Sequence, residues 1–301
     1  MRTATPPVGT PRRPFRFGIN LTAASTRQAW LDKCRRAEAL GYDLIVVPDH
    51  LGVLAPFPAL VAASAVTERP RLATYVLNSA FHNPVLLARE VLTTQLVTGG
   101  RLELGLGAGY AKDEFDKAGI PWTGPGARVR RLTETVTRLR RILDDPRLLG
   151  WSRAVEPPPL IIGGHGDKML RLAAEHADVV AFAGGTAGAG DLAGGDVMAE
   201  RVSFFETAAG DRAASIERNI LVQTVLVTSD RQRAIDTLRR RAPHLAEAQD
   251  LAELPTVLLG SPEEIAATLR ARRERYGISS ICVHEPAMAS FAPVIALLAG
   301  R

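Results

Sequence analysis

Cysteine is scarce in this chain of 301 residues, which has two, Cys34 and Cys282. Two thiols cannot staple a small secreted scaffold, so a hydrophobic core must hold the fold, and both read as buried small hydrophobes suited to a reducing cytosol. Long apolar runs are missing too. No stretch approaches the roughly 18 uninterrupted apolar residues of a membrane span. Residues 1–14 carry Pro and Arg but no apolar segment, which argues against a secretory signal. They read as a flexible tail ahead of one domain, residues 15–301, in a cytoplasmic protein. Metal-ligand spacings such as C-x-x-C or H-x-x-x-H do not occur, so no metal site is expected. The G-x-S-x-G nucleophile elbow is absent. A Rossmann loop needs G-x-G-x-x-G after the first strand and an acidic residue roughly 20 positions on, and neither condition is met.

Charge of one sign is not in large excess: 37 Lys and Arg stand against 32 Asp and Glu, a net charge of +5. That excess suits an anionic small molecule, such as a phosphorylated cofactor with a carboxylate tail. The basic residues are scattered with no aromatic platform among them, so nucleic acid is not an expected partner. Their densest group, Arg128, Arg130, Arg131, Arg138, Arg140 and Arg141, falls on one predicted helix and reads as its solvated face.

What is present is an alternation. Short β-rich runs at 15–20, 43–47, 71–77, 102–106, 160–162, 178–182, 219–227 and 278–283 are separated by helical periodicities. The helices are predicted over 26–40, 84–97, 128–143, 167–175, 198–209, 230–241, 261–276 and 288–298. Repeated strand–helix units imply a parallel sheet. Eight of them match a closed (β/α)8 TIM barrel, a single-domain α/β fold, better than an open sheet. The Gly-rich stretch 184–195 lies between a strand and a helix, where such barrels place active-site loops.

Ligands of this fold bind where strands end. After the second strand stand Asp49 and His50. A neutral imidazole there can bond a ring or shuttle a proton, with Asp49 fixing its tautomer or capping a turn. The third strand ends in Asn78 and Ser79, able to bond a heterocycle's edge, while His82 reads as a residue leading into the next helix. After the fourth come Gly107, Ala108, Gly109 and Tyr110, where glycines permit close backbone approach to a flat ligand. Asp113 and Glu114 follow, either capping the segment or facing the site. After the fifth, Gly163, Gly164, His165 and Gly166 open a helix directly. Free N–H groups at the positive end of a helix dipole make a phosphate site without lysine. Ala183 and Gly184, after the sixth strand, can form the opposite wall. His176 and His244 read as structural and exposed respectively.

Taken in order, FRFGIN, AEALGYDLIVVPDHL, LNSAFHNPVLLAREVLTTQLVTGGRLELGLGAGYAKDEF, PPPLIIGGHG and LLGSPEEIAATLRARRERYGISSICV resemble the luciferase-like monooxygenase superfamily over residues 15–298. The nearest likeness is to its actinobacterial branch that uses coenzyme F420. The resemblance implies a homodimeric barrel with Asp49 and His50 beside the cofactor ring, His50 near the reactive carbon. It implies a non-proline cis peptide at Tyr75–Val76 behind the ring, Asn78 at the ring edge, and Gly107 and Gly109 along the ring or its side chain. The residues Gly163 to Gly166 would hold the cofactor phosphate. The sugar-phosphate dehydrogenase of that branch has a glutamate where this chain has Tyr110, and its phosphate-binding Lys and Arg have no clear equivalents here. The expected activity is hydride transfer between F420 C5 and a small organic substrate. That means reduction of an activated C=C or C=N bond, or oxidation of an alcohol, with His50 or Tyr110 exchanging the proton. The alternatives are a flavin monooxygenase using FMN and oxygen, and a non-catalytic barrel that carries a flavin-like ligand.

Overall fold

The computed structural model describes residues 13–152, 155–182, 195–241 and 254–300. Residues 1–12 of the expected tail, the stretch 184–194, Ala183, Gly184 and His244 lie outside them. The first half runs β1 (Arg16–Asn20), α1 (Arg27–Ala39), β2 (Leu44–Val47), α2 (Pro56–Ser64), β3 (Arg71–Thr74), β4 (Leu77–Asn78), α3 (Pro84–Val97), β5 (Leu102–Gly107), α4 (Lys112–Lys117) and α5 (Pro125–Asp144). The second half runs β6 (Leu160–Gly163), α6 (Asp167–His176), β7 (Val179–Phe182), α7 (Gly195–Ala209), β8 (Glu217–Val222), β9 (Thr224–Val227), α8 (Arg231–Arg241), β10 (Val257–Gly260), α9 (Pro262–Tyr276), β11 (Ile278–His284) and α10 (Ala292–Leu298).

The strands pair in the order β3-β2-β1-β11-β8-β7-β6-β5-β4, and an added parallel pairing of β3 with β5 closes the sheet on itself. Since β4 continues the line of β3, the wall has eight positions, and the expected (β/α)8 barrel is what forms. Local chemistry starts the helices where it should. Thr26 Oγ1 accepts from Ala29 N at 3.1 Å, and Asn83 Oδ1 accepts from Val85 N at 2.9 Å. Ser261 and Glu264 form a reciprocal capping box. Each such cap contributes about 1 kcal/mol.

Outward strand residues such as Phe17, Ile45, Leu104, Ile162 and Ile281 join the main core beneath the helices. Inward positions build a second cluster from Leu44, Val46, Ala73, Tyr75, Ile161 and Cys282. Burial pushes the thiols of Cys282 and Cys34 up to about 12, so both are small core side chains, not thiolates. Below this cluster Arg16 reaches Glu217 at 2.6 Å and Glu103 at 2.7 Å. Neither β5 nor β8 neighbours β1 in the wall, so these ion pairs cross the interior and form a charged floor. Arg71 adds a contact to Glu103 at 2.6 Å.

Several expectations change. The run 71–77 is two strands, because it is interrupted at Tyr75–Val76, whose peptide bond is cis as the resemblance implied. The run 219–227 is β8 and β9: Gln223 N and Thr224 N both donate to Thr256 O (2.8 and 3.1 Å), so the chain leaves the wall there. It pairs instead with β10, which the sequence reading missed, in a separate two-stranded parallel sheet. The helix over 288–298 begins at Ala292, since Pro293 tolerates only first-turn positions. Helix α2 is an element the sequence reading missed; Pro56 and Pro58 both fall in its first turn, where a missing N–H costs nothing.

Candidate active site

Val47 ends β2, and Pro48 turns the chain so that Asp49 and His50 stand on the C-terminal rim. Asp49 does not touch His50. Its Oδ2 accepts from Asn78 N at 2.9 Å and lies 3.2 Å from His82 Nε2. Asp49 therefore ties the ends of β2 and β4, and His82 has a partner at the rim beyond leading into α3. Asn78 Oδ1 in turn accepts from Ala80 N at 3.1 Å, and its neighbour Ser79 has a buried Oγ without a hydrogen-bond partner among the described residues.

The group that orients His50 is Glu114. Its carboxylate oxygens lie 3.0 and 3.1 Å from His50 Nδ1, and Oε1 also accepts from Leu51 N at 3.3 Å. A carboxylate only accepts, so Nδ1 carries a proton. On the other side of the ring Tyr110 Oη lies 3.2 Å from Nε2, with the two rings edge to face at 5.6 Å. Tyr110 is largely exposed (57%), yet burial at its hydroxyl end, followed by the Glu114 charge, pushes the phenol above its ordinary value. Of the two acidic residues expected to cap or face the site, Asp113 pairs with Lys117 on the surface and Glu114 faces the site. Sequence reasoning missed the helix that makes this split, α4. A buried Phe115 seats it, stacked edge-on against Trp122 at 4.9 Å.

Arg128 lies 3.8 Å over Trp122 and donates to Gly109 O at 3.1 Å. Arg131 donates to Ala80 O, and Arg140 to His176 O and Asp178. The arginine group is thus only part of the solvated face expected of it: Arg130, Arg131, Arg138 and Arg141 are exposed and Arg128 and Arg140 half-buried, while Arg128, Arg131 and Arg140 pin α5 to other segments, two of them to segments lining the mouth.

The glycines answer first to their neighbours. Tyr75 and Val76 both meet the inward cluster. A Cβ on Gly107 would sit 2.7 Å from Val76 Cγ2, and one on Gly163 3.4 Å from Cγ1. Val76 therefore rests on a glycine floor between β5 and β6, half-buried, with its outer side toward the mouth. Gly109, at φ +75°, lies against the Asn78 amide, where no side chain would fit. Ala108 beside it is half-buried against the core. Gly164 N donates to Ala181 O at 3.0 Å, while Gly166 begins α6 with no side chain capping the first turn among the described residues. Asp167 in that turn is drawn off by Arg201 at 2.5 Å. His165 is held below its ordinary value by burial and then by Arg201. His50 and Gly163 to Gly166 follow C-terminal strand ends of the same barrel, with Val76 between them, so both lie on one rim.

A second polar arc stands on β1, β11 and β8, and sequence reasoning did not single it out. Asn20 Nδ2 lies 3.3 Å from His284 Nδ1, and His284 Nε2 lies 3.2 Å from Gln223 Oε1. Burial lowers the His284 pKa and keeps its imidazole neutral. The i, i+2 spacing of Cys282 and His284 at a strand end was the available signal.

A closed barrel whose titratable groups gather at the C-terminal strand ends belongs to the enzyme-bearing (β/α)8 class. The model of the luciferase-like monooxygenase family matches residues 13–280, and the chain belongs to that family. It is 32% identical over 171 residues to the F420-dependent glucose-6-phosphate dehydrogenase of Intrasporangium calvum, a match covering 49% of this chain and 51% of the relative. The chain spans about half the length of the curated relatives it matches. Among solved structures, an F420-dependent secondary alcohol dehydrogenase bound to an F420–acetone adduct superposes with a TM-score of 0.72 at 18% identity, over 95% of this chain and 98% of the other. A long-chain alkane monooxygenase gives 0.75 at 13% identity, over 95% and 91%. At these identities the two structures establish the fold.

Proposed function

We propose that this chain is an F420-dependent oxidoreductase acting between the cofactor's C5 and a small organic substrate. The substrate would be an activated C=C or C=N bond in the reductive direction, or an alcohol in the reverse one. The carrying observation is an imidazole with a fixed tautomer, His50 between Glu114 and Tyr110, on the same rim as an uncapped helix N-terminus. The residues present suit the group. Among the described residues Ser79 Oγ lacks a partner, Val76 offers an apolar cushion, and the first turn of α6, with no side-chain cap, can present N–H groups to a phosphate. Bound F420 would supply the hydride chemistry. The chain would supply the rest: Gly163 to Gly166 anchor, Val76, Asn78 and Gly109 shape the slot, and His50 or Tyr110 exchanges the proton. The F420-dependent relative supports this choice over FMN.

Spectroscopic titration of the purified protein with F420 and with FMN tests the reading. F420 binding without oxygen consumption, followed by turnover of enones, imines or alcohols, is the expected result. FMN binding with oxygen uptake would replace it with a monooxygenase, and binding without turnover of any of these substrates with a carrier. We also propose a homodimer that covers the exposed Leu86 near the start of α3 and the exposed Leu96 and Val97 at its end. A monomeric mass by light scattering, unchanged on charging Leu86, would refute it.

A further inference from the structure

Both ring nitrogens of His50 are already engaged. Nδ1–H is directed at the Glu114 carboxylate, and Nε2 faces the Tyr110 hydroxyl at 3.2 Å. An imidazole so enclosed has no free position for a substrate atom. The phenol does: beside a neutral Nδ1–H imidazole its O–H donates to Nε2 and leaves acceptor positions open, and beside a His50 imidazolium it accepts from Nε2–H, which turns its own O–H to the substrate. Exposure runs the same way: the His50 side chain is 34% exposed, Glu114 14%, and Tyr110 57%.

We propose that Tyr110 is the catalytic residue that meets the substrate, that His50 passes the proton to it, and that Glu114 is the positioning residue that sets the tautomer of His50. This rests on the oxidoreductase reading above and gives it a proton path. In the reductive direction, one atom of a C=C or C=N bond would take the hydride that bound F420 supplies. The neighbouring atom takes the Tyr110 proton as that bond's second electron pair becomes a new X–H bond. The Nε2–H of a His50 imidazolium refills the phenol, and the ring returns to neutral with its remaining proton on Nδ1. Glu114 keeps its charge throughout and offsets the imidazolium. Oxidation of an alcohol runs the same path backward. The raised phenol pKa keeps Tyr110 protonated between turnovers.

The frame around these groups is rigid where the path needs it. Gly109, the residue before Tyr110, is fixed on one side by Asn78 and on the other by Arg128 at its carbonyl. Arg128 stacks on Trp122, and Trp122 on Phe115, next in sequence to Glu114. One aromatic seat therefore sets both ends of the path relative to His50.

Two measurements test this, and the first needs no cofactor. Isotope-labelled histidine NMR of the free protein, with the His50 signal assigned by its loss in His50→Gln, should show the Nδ1–H tautomer. Glu114→Gln should shift it toward Nε2–H, and Glu114→Asp should restore it. A wild-type Nε2–H tautomer overturns the path, whether or not F420 binds. The second is turnover under reduced F420. Tyr110→Phe and His50→Gln should each lose about 100-fold in kcat, at the low end of general acid–base effects. The double variant should lose no more than the worse single one, because the groups act as a unit. Additive losses, or a Tyr110→Phe enzyme within about twofold of wild type, would overturn the assignment. If the protein neither binds nor turns over F420, the oxidoreductase reading fails, while the tautomer measurement still decides the arrangement.

Discussion

The barrel holds charged side chains at both ends of its interior, and they behave differently. At the floor, Glu103 and Glu217 are 3% and 6% exposed, and their oxygens meet Arg16 and Arg71 at 2.6 to 2.7 Å. Burial opposes the charge of Arg16, but the two carboxylates outweigh it and hold the guanidinium above its ordinary value. Every charge there is answered by another protein charge. At the mouth His50 is partly open, Tyr110 is mostly open, and one arc ends in an Asn20 Oδ1 without a partner among the described residues. The same residue types make structure where their bonds are mutual and chemistry where one side is left to a visitor.

The floor should be the costlier end to disturb. Glu103→Ala leaves two guanidiniums facing a cavity and should lose about 3–5 kcal/mol of unfolding free energy in urea. A loss below about 1 kcal/mol would erase the contrast. At the mouth, His50→Ala should cut turnover by about 10²–10⁴-fold and shift stability by no more than about 0.5 kcal/mol. A cooperative loss of folding would make His50 a structural residue after all. Gly109→Ala lies between the two cases. Its left-handed backbone and the Asn78 amide should cost about 1–2 kcal/mol, and the displaced slot should weaken cofactor binding in the same titration. Retained stability and affinity together would mean that the slot is not built on Asn78.

The smallest effect is a pH dependence at the second arc. The folded pKa of His284 lies below its ordinary 6.5 because burial disfavours the cation. On acidification the unfolded chain takes up that proton first. The contribution of His284 is therefore full above about 6.5 and is lost as pH falls through the folded value. Replacing it with Gln should flatten the fall in melting temperature between about pH 7.5 and 5.5. An unchanged slope would remove His284 from the titrating set.

Much of this molecule was legible in its sequence, for definable reasons. Strands buried on both faces appear as unbroken apolar runs, and capped helices announce their first turns, so the eight-fold alternation could be read directly. Asp49, His50 and the Gly163 to Gly166 turn stand at strand ends, where the apolar runs alone placed them. The pairing within the site was not legible. Asp49 and Glu114 are both acidic and both near the mouth, and only the seat of Phe115 on Trp122 decides that Glu114, 64 residues from His50, is its partner. At Gly107 and Gly109 the structure adds a packing reason for glycine that no local pattern announces, since a Cβ there would meet Val76 and Asn78. The split at Gln223 was invisible because the apolar pattern continues through it while the hydrogen-bond partner changes.

That split has a further consequence. Beyond Val222 the β8–β11 pairing is already complete, and one side of β9 and β10 packs on a small apolar cluster with Leu254, Val257 and Leu259 at its centre, while Leu258, Val225 and Val227 pack on the main core. The annex between the seventh and eighth wall strands therefore has its own sheet but shares the core of the barrel. Its first residue, Gln223, nevertheless stands on the rim against His284. The junction thus couples a sheet outside the wall to the rim, so that a shift of β9 is carried to the mouth through Gln223 and His284.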